Sequence, residues 1–88
     1  MTKFEWDPDK HRTNILKHGI DFETLAWFDW DAAFVEKDER FDYGEPRYRA
    51  FGRVDDRAVC IAFTPRGTAL RIISARYMHE REARRYGI

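Results

Sequence analysis

The sequence predicts an α+β domain: an antiparallel four-stranded sheet with a short N-terminal strand, packed against two N-terminal helices and one C-terminal helix. Three observations carry this expectation. Helix start and stop signals bracket residues 7–19. Beyond residue 46, strand-like segments are separated by two tight turns, which predicts an antiparallel meander. The closing segment, about Tyr77 to Tyr86, reads as a helix stopped at Gly87.

Lys3-Phe4-Glu5-Trp6 alternates polar and apolar residues, as a short strand does. Asp7 can cap a following helix, and Pro8 suits its first position. His11, Ile15 and His18 then share one helical face, and Gly19 supplies the left-handed stop. Asp21 opens a second helix with Phe22, Leu25 and Ala26 at core spacing. Ala32–Lys37 reads as a strand, and a polar loop spans Asp38 to Pro46. In the next strand Tyr48, Ala50, Gly52 and Val54 point one way, and Arg47, Arg49, Phe51 and Arg53 the other. Asp55-Asp56 turns the chain into the near-continuous apolar strand Arg57–Thr64, and Thr64-Pro65-Arg66-Gly67 turns it again into Ala69–Arg76. Helices from both ends are expected on one face of the sheet, leaving the Arg47, Arg49, Phe51 and Arg53 side open to solvent.

Eighty-eight residues make one domain, 1–88, and a 43% hydrophobic, 16% aromatic composition argues against disorder. Cys60 is the one cysteine, so no internal disulfide forms; within Ala58–Phe63 it reads as a buried small hydrophobe. The N-terminus Met1–Asp7 lacks the apolar core of an export signal, and no stretch approaches the ~18 apolar residues of a membrane span. The cytoplasm is the expected location.

Net charge is zero, but residues 1–45 carry six Lys+Arg against twelve Asp+Glu, and residues 46–88 carry ten arginines against four acids. Such asymmetry points to a charged partner or substrate, and arginine without lysine favours bidentate phosphate contact and stacking. The alternative is that the two halves pair with each other as a solvated salt-bridge surface.

The blocks Phe4-Glu5-Trp6-Asp7 with Lys10, Asn14 with Lys17-His18-Gly19-Ile20, Phe22-Glu23, Gly44-Glu45, Arg47, Gly52, Arg66-Gly67 and Arg71-Ile72-Ile73-Ser74-Ala75-Arg76, followed by Glu82 and Tyr86, occur in that order. In these the chain resembles the BrnT toxin family, small RelE-like ribonucleases of type II toxin–antitoxin systems. It departs from the family pattern at Tyr77 and Ala83, and Trp27–Asp42 aligns with no motif. The resemblance implies a toxin that cleaves RNA and stops translation. It also implies a ribbon-helix-helix antitoxin partner and a toxin–antitoxin complex that binds operator DNA to repress its own operon.

RNA is cut when its 2′-OH attacks the adjacent phosphorus in line. The reaction needs a base, an acid and fixed cations at the phosphate, and side chains can supply all three. Arg76 and Arg66 are the first candidates for phosphate contact; each is otherwise an ordinary strand-end arginine. His18, at a helix C-terminus, is the leading acid–base candidate, or else it caps that helix or packs beside Ile15. Glu45 and Glu82 are alternative bases. Glu82 and Tyr86, four apart, can also simply bond on a helix surface. Lys17, Arg47, Arg49, Arg71, Arg81, Arg84 and Arg85 are candidate RNA-binding cations. Tyr48, Phe51 and Tyr77 either stack on bases or fill the core. His11, His18, Asp7 and Asp9 lack metal-ligand spacing, so no metal or other cofactor is expected. The competing reading is a non-catalytic adaptor that binds RNA or a protein through the arginine face. The nuclease reading requires the guanidinium groups to converge on one pocket.

Overall fold

Asp7 and Pro8 begin the first helix as the sequence predicts. In the computed structural model, which describes residues 3–88, Asp7 accepts the Asp9 N–H and Gly19 closes the helix at φ +71°. The elements in chain order are β1 (Lys3–Trp6), α1 (Pro8–His18), a 3-10 helix (Phe22–Trp27), β2 (Phe34–Lys37), β3 (Tyr48–Val54), β4 (Arg57–Arg66), β5 (Ala69–Tyr77) and α2 (Glu80–Arg85). Met1 and Thr2, part of the export-signal reading, lie outside the described residues.

The sheet has five strands in the order β1-β5-β4-β3-β2 and is mixed, which corrects the four-stranded antiparallel expectation. The meander β2–β5 is antiparallel, and β1 adds to its far edge parallel to β5, with Trp6 opposite Ile72. Alternation identifies Phe4 and Trp6 as facing the core but carries no signal for the strand they pair with. The second helix is 3-10 in type and buries Phe22 and Leu25, a three-residue spacing that fits three residues per turn. α2 starts at Glu80, three residues later than expected, because β5 continues to Tyr77 opposite Val59 and Met78 N–H then bonds to the Ala58 carbonyl.

Both sheet faces are covered in part. On the first, α1 and the 3-10 helix close over a core that includes Phe22, Leu25, Ala50, Val59, Ile61, Phe63, Ile72 and Ala75. On the second, Phe51, Ala58 and Cys60 pack under Met78 and Ala83, with Tyr86 and Ile88 against them. The expectation of both terminal helices on one face is therefore wrong, and Phe51 is fully buried instead of displayed. Three apolar side chains on that face need cover, and α2 is the element that provides it. Arg53 fastens the arrangement by donating to Glu80, the Asp56 carbonyl and the Ile88 carbonyl.

α1 is anchored through a polar residue. Its single buried residue is Asn14, while Ile15, on the face shared with His11 and His18, is 40% exposed. β1 ends opposite Ile72, which leaves the outer edge of β5 unpaired at Ala75. The Asn14 amide completes that edge: it donates to the Ala75 carbonyl (2.9 Å) and the Ile20 carbonyl (3.0 Å) and accepts the Ala75 N–H (3.0 Å). His11 stacks on Phe22 and bonds to Asp21 at 2.7 Å.

Candidate functional site

α2 covers only part of the second sheet face. Register sets the remainder as rows across the strands: Phe34, Phe51, Cys60 and Arg76; then Glu36, Arg49, Ala62 and Ser74; then Thr64, Arg71 and Glu5. Ala62 and Ser74 are small, so the middle row forms the floor of a shallow trough. α2 stands at one end. The loop between β2 and β3 stands at the other, tied down where the buried Thr64 hydroxyl donates to the Pro46 carbonyl at 2.6 Å. Cys60 and Thr64 are four residues apart on one strand, so the trough is about 13 Å long at this point.

Each trough arginine meets a carboxylate. Arg49 donates to Glu36, Arg71 lies 3.6 Å from Glu5, and Arg66, at the β4–β5 hairpin, reaches the same Glu5 oxygen at 3.8 Å. These acids come from the first half of the chain, so part of the charge asymmetry is resolved by internal pairing. At the α2 end Arg76 makes a bidentate pair with Glu82, at 3.1 and 3.0 Å. That pair holds the Glu82 carboxyl below its ordinary range and pushes the Arg76 pKa up. The Tyr86 ring lies flat on Phe51, centroids 3.7 Å apart, so the Tyr86 position is fixed by the core beneath it. The Arg49 guanidinium lies 5.3 Å from the Phe51 ring centroid. Cys60 is buried under this end, and burial pushes its thiol pKa up, which fits a packing role.

The other sequence candidates lie around the trough. Arg81 and Arg85 line a cavity of about 490 Å³ with His79 and Glu82, on the outer side of the Arg76–Glu82 pair; Arg84 is exposed on the same helix. Glu45 and Arg47 pair at 3.3 Å on the loop. Lys17 and His18 are exposed at the end of α1 and line a groove of about 330 Å³ with Ile73 and Ser74, so Ser74 belongs both to the trough floor and to this groove. The candidates are thus spread out: Arg76 pairs with Glu82 at the α2 end, Arg66 and Arg71 share Glu5 at the other, Tyr86 stacks on Phe51, and Lys17 and His18 stand on α1; they do not converge on one enclosed pocket. Tyr48 and Tyr77 lie off the trough: Tyr48 stacks on Phe63, and Tyr77 carries Arg57 over its ring at 3.5 Å. Sequence reasoning did not single out Glu5, Glu36 or Ser74 as site residues; their places follow from the pairing of β1 with β5, of β2 with β3 and of β4 with β5 respectively. Among the described residues no three His, Cys, Asp or Glu side chains cluster as metal ligands. No helix among them is long and apolar enough to cross a membrane.

The family model for the ribonuclease toxin BrnT of type II toxin–antitoxin systems matches residues 6–82. The chain belongs to the BrnT family. Among solved structures it is similar to the Brucella abortus ribonuclease toxin BrnT, with 30% identity and a TM-score of 0.73 over 90% of this chain and 99% of that one. No curated protein sequence matches. The BrnT family match takes in β1 from Trp6, the whole meander and the Arg76–Glu82 pair, and leaves Arg84, Arg85 and Tyr86 outside it. The α+β architecture with its mixed sheet is that of the BrnT fold.

Proposed function

We propose that this chain is a single-domain cytoplasmic toxin with a RelE-like fold that cuts RNA without a metal ion and so stops translation. Its partner is a ribbon-helix-helix antitoxin, and their complex binds operator DNA. The observation that carries the catalytic reading is the bidentate Arg76–Glu82 pair at the end of an open trough lined by Arg49 and Arg71, with Tyr86 stacked on Phe51 of the row that holds Arg76.

In this reading the scissile phosphate sits at Arg76, whose guanidinium stabilises the charge that builds on the non-bridging oxygens. Engaging the phosphate draws Arg76 from Glu82, which raises the carboxylate's basicity as substrate arrives. Glu82 then takes the 2′-OH proton as the 2′-oxygen attacks phosphorus, and Tyr86 protonates the departing 5′-oxygen. Arg49 and Arg71 hold neighbouring phosphates, Arg66 and Arg47 extend that contact, and Arg81, Arg84 and Arg85 add cations along α2. Lys17 and His18 meet the strand where the groove continues past Ser74. His18 is the competing acid, and Glu45 the competing base at the loop end.

The test is cleavage of a defined single-stranded RNA with and without EDTA. Cutting should persist in EDTA, and Arg76→Ala should lower the rate by about 100-fold or more while the fold is kept. Glu82→Gln and His18→Ala tell the two acid–base assignments apart. A second reading is favoured by the pairing of every trough arginine with a carboxylate: an adaptor that binds RNA without cutting it. Salt-sensitive binding with unchanged RNA length and normal growth on induction would select the adaptor.

A further inference from the structure

Beyond Arg47 and Glu45, the loop at the far end of the trough has no part in the reaction described above, yet it is internally bonded and ends in bare aromatic surface. Its hub is Asp38, only 7% exposed, whose carboxylate accepts from Arg40 N–H, Arg40 Nε (2.8 Å), Arg40 Nη2 (2.8 Å) and the Tyr43 hydroxyl (3.0 Å). These bonds, led by Arg40, hold Asp38 far below the ordinary carboxylate range. Asp38 N–H also donates to the Arg47 carbonyl at 2.7 Å, which extends the β2–β3 ladder by one rung, and Asp42 accepts the Gly44 N–H at 3.0 Å. A stretch that reads as a polar surface loop is thus fixed from within by one buried acid.

This fixed loop presents a π surface. Tyr43, pinned through its hydroxyl, carries the Arg47 guanidinium over its ring at 4.2 Å. Phe41 meets Tyr43 edge-on, centroids 5.9 Å apart and planes at 75°, and is 68% exposed. The loop borders an open depression of about 630 Å³ lined by residues 37–47. Exposing a phenyl ring sacrifices hydrophobic stabilisation unless something covers it. The Thr64–Pro46 bond places the loop against the row that holds Arg71, and Arg47 lies two residues from Arg49 on the same strand path. Of the loop's four carboxylates, Asp38 and Glu45 pair with its own Arg40 and Arg47, Glu39 lies 4.0 Å from Lys37, and Asp42 accepts the Gly44 N–H, so the attraction for a nucleobase lies in the exposed ring and not in the loop's charge.

We propose that Phe41, Tyr43 and Arg47 form a subsite for an unpaired nucleobase of the RNA whose phosphates lie along the trough. The base stacks on Phe41 and on the Tyr43–Arg47 layer, and this selects the sequence context of the cut. Continuity with the arginine trough favours RNA as occupant over a protein segment. The proposal rests on the nuclease reading for its biological meaning, and its test is separable from that reading.

The probe is a short single-stranded oligoribonucleotide with 2-aminopurine at successive positions, mixed with the full chain. Stacking at the subsite should quench fluorescence at one position, and Phe41→Ala should abolish that quenching and weaken binding about tenfold, with Phe41→Trp restoring both. Phe41 is exposed, so these variants should melt with the parent. In cleavage maps at nucleotide resolution, Phe41→Ala should flatten the sequence preference and raise KM more than it lowers kcat. Failure of the nuclease reading alone appears as position-specific quenching without any cutting. The subsite is overturned if quenching and KM are unchanged in Phe41→Ala, or if that variant loses affinity only for the antitoxin.

Discussion

Asn14 lies in a sequence block that marks the family, yet the structure gives it a structural duty that predicts a large effect. Asn14→Ala removes two donors and one acceptor at a site only 3% exposed. It strands the Ala75 N–H, the Ala75 carbonyl and the Ile20 carbonyl away from water. At roughly 1 kcal/mol net for each bond, and more where a buried group finds no substitute, the loss is about 3 kcal/mol or more. That is a large share of the ~5–15 kcal/mol that holds a typical domain together. For a chain of this size it lowers Tm by roughly 15 °C. Asn14→Asp sharpens the test. The carboxylate still accepts from Ala75 N–H but faces two carbonyl oxygens, so burial and repulsion raise its folded pKa above the unfolded value of about 3.9. A raised folded pKa means that the variant is best tolerated in acid and loses stability as pH rises toward neutrality. Thermal melts followed by circular dichroism at pH 4 and pH 7 measure both effects. A loss under about 1 kcal/mol for Asn14→Ala, or an Asn14→Asp deficit that does not grow with pH, would refute the account of Asn14 as the residue that completes the β5 edge.

Glu36→Gln releases Arg49 from its internal acid; RNA should bind more tightly, and the dependence of log K on log salt should steepen by up to about 0.7, read by fluorescence anisotropy across a salt series. Weaker binding would show that Glu36 orients Arg49 more than it competes for it. Glu82 has a depressed pKa through Arg76, so its contribution to stability is present above about pH 4.3 and fades as pH falls through the depressed value. The Tm lost between pH 5 and pH 3 should therefore be smaller in Glu82→Gln than in the parent, and equal losses would count against the pair. Gly52→Ala would set a Cβ 2.5 Å from Phe28 Cζ and 2.9 Å from its Cε1, a clash with a buried ring; about 1–3 kcal/mol of destabilisation in urea titrations is expected.

Much of the fold was legible. The first helix matched at both ends because Asp7, Pro8 and Gly19 act on their own neighbours. The meander matched because turn chemistry at Asp55-Asp56 and Gly67 fixes antiparallel pairing locally, with both aspartates and Gly67 at positive φ. The start of the last helix was misread because Arg76-Tyr77-Met78 suits a strand or a helix, and pairing with β4 decided it. Candidate residues were recognised by chemical type and by the family blocks, which offered Arg66, Arg76, His18, Glu45, Glu82 and Tyr86 without telling which of them meet in space. Glu5 and Glu36 were not singled out as site residues because a carboxylate in a short strand signals nothing until its cross-strand partner is known. His18 was the leading acid–base candidate as a histidine at a helix C-terminus, and in the structure it stands on α1, apart from the Arg76–Glu82 pair.

The sequence by itself determined the elements whose signals are short-range: capped helix, hairpins, alternation within each strand, and the ordered blocks that mark the BrnT family. Only the tertiary structure decided where β1 adds, which face α2 covers, and which acid each arginine meets. A period of two reports that Arg49, Phe51 and Arg53 share a face. Whether that face meets water depends on burying Phe51, Ala58 and Cys60 against a helix more than twenty residues further along the chain, a global free-energy balance that no local pattern records.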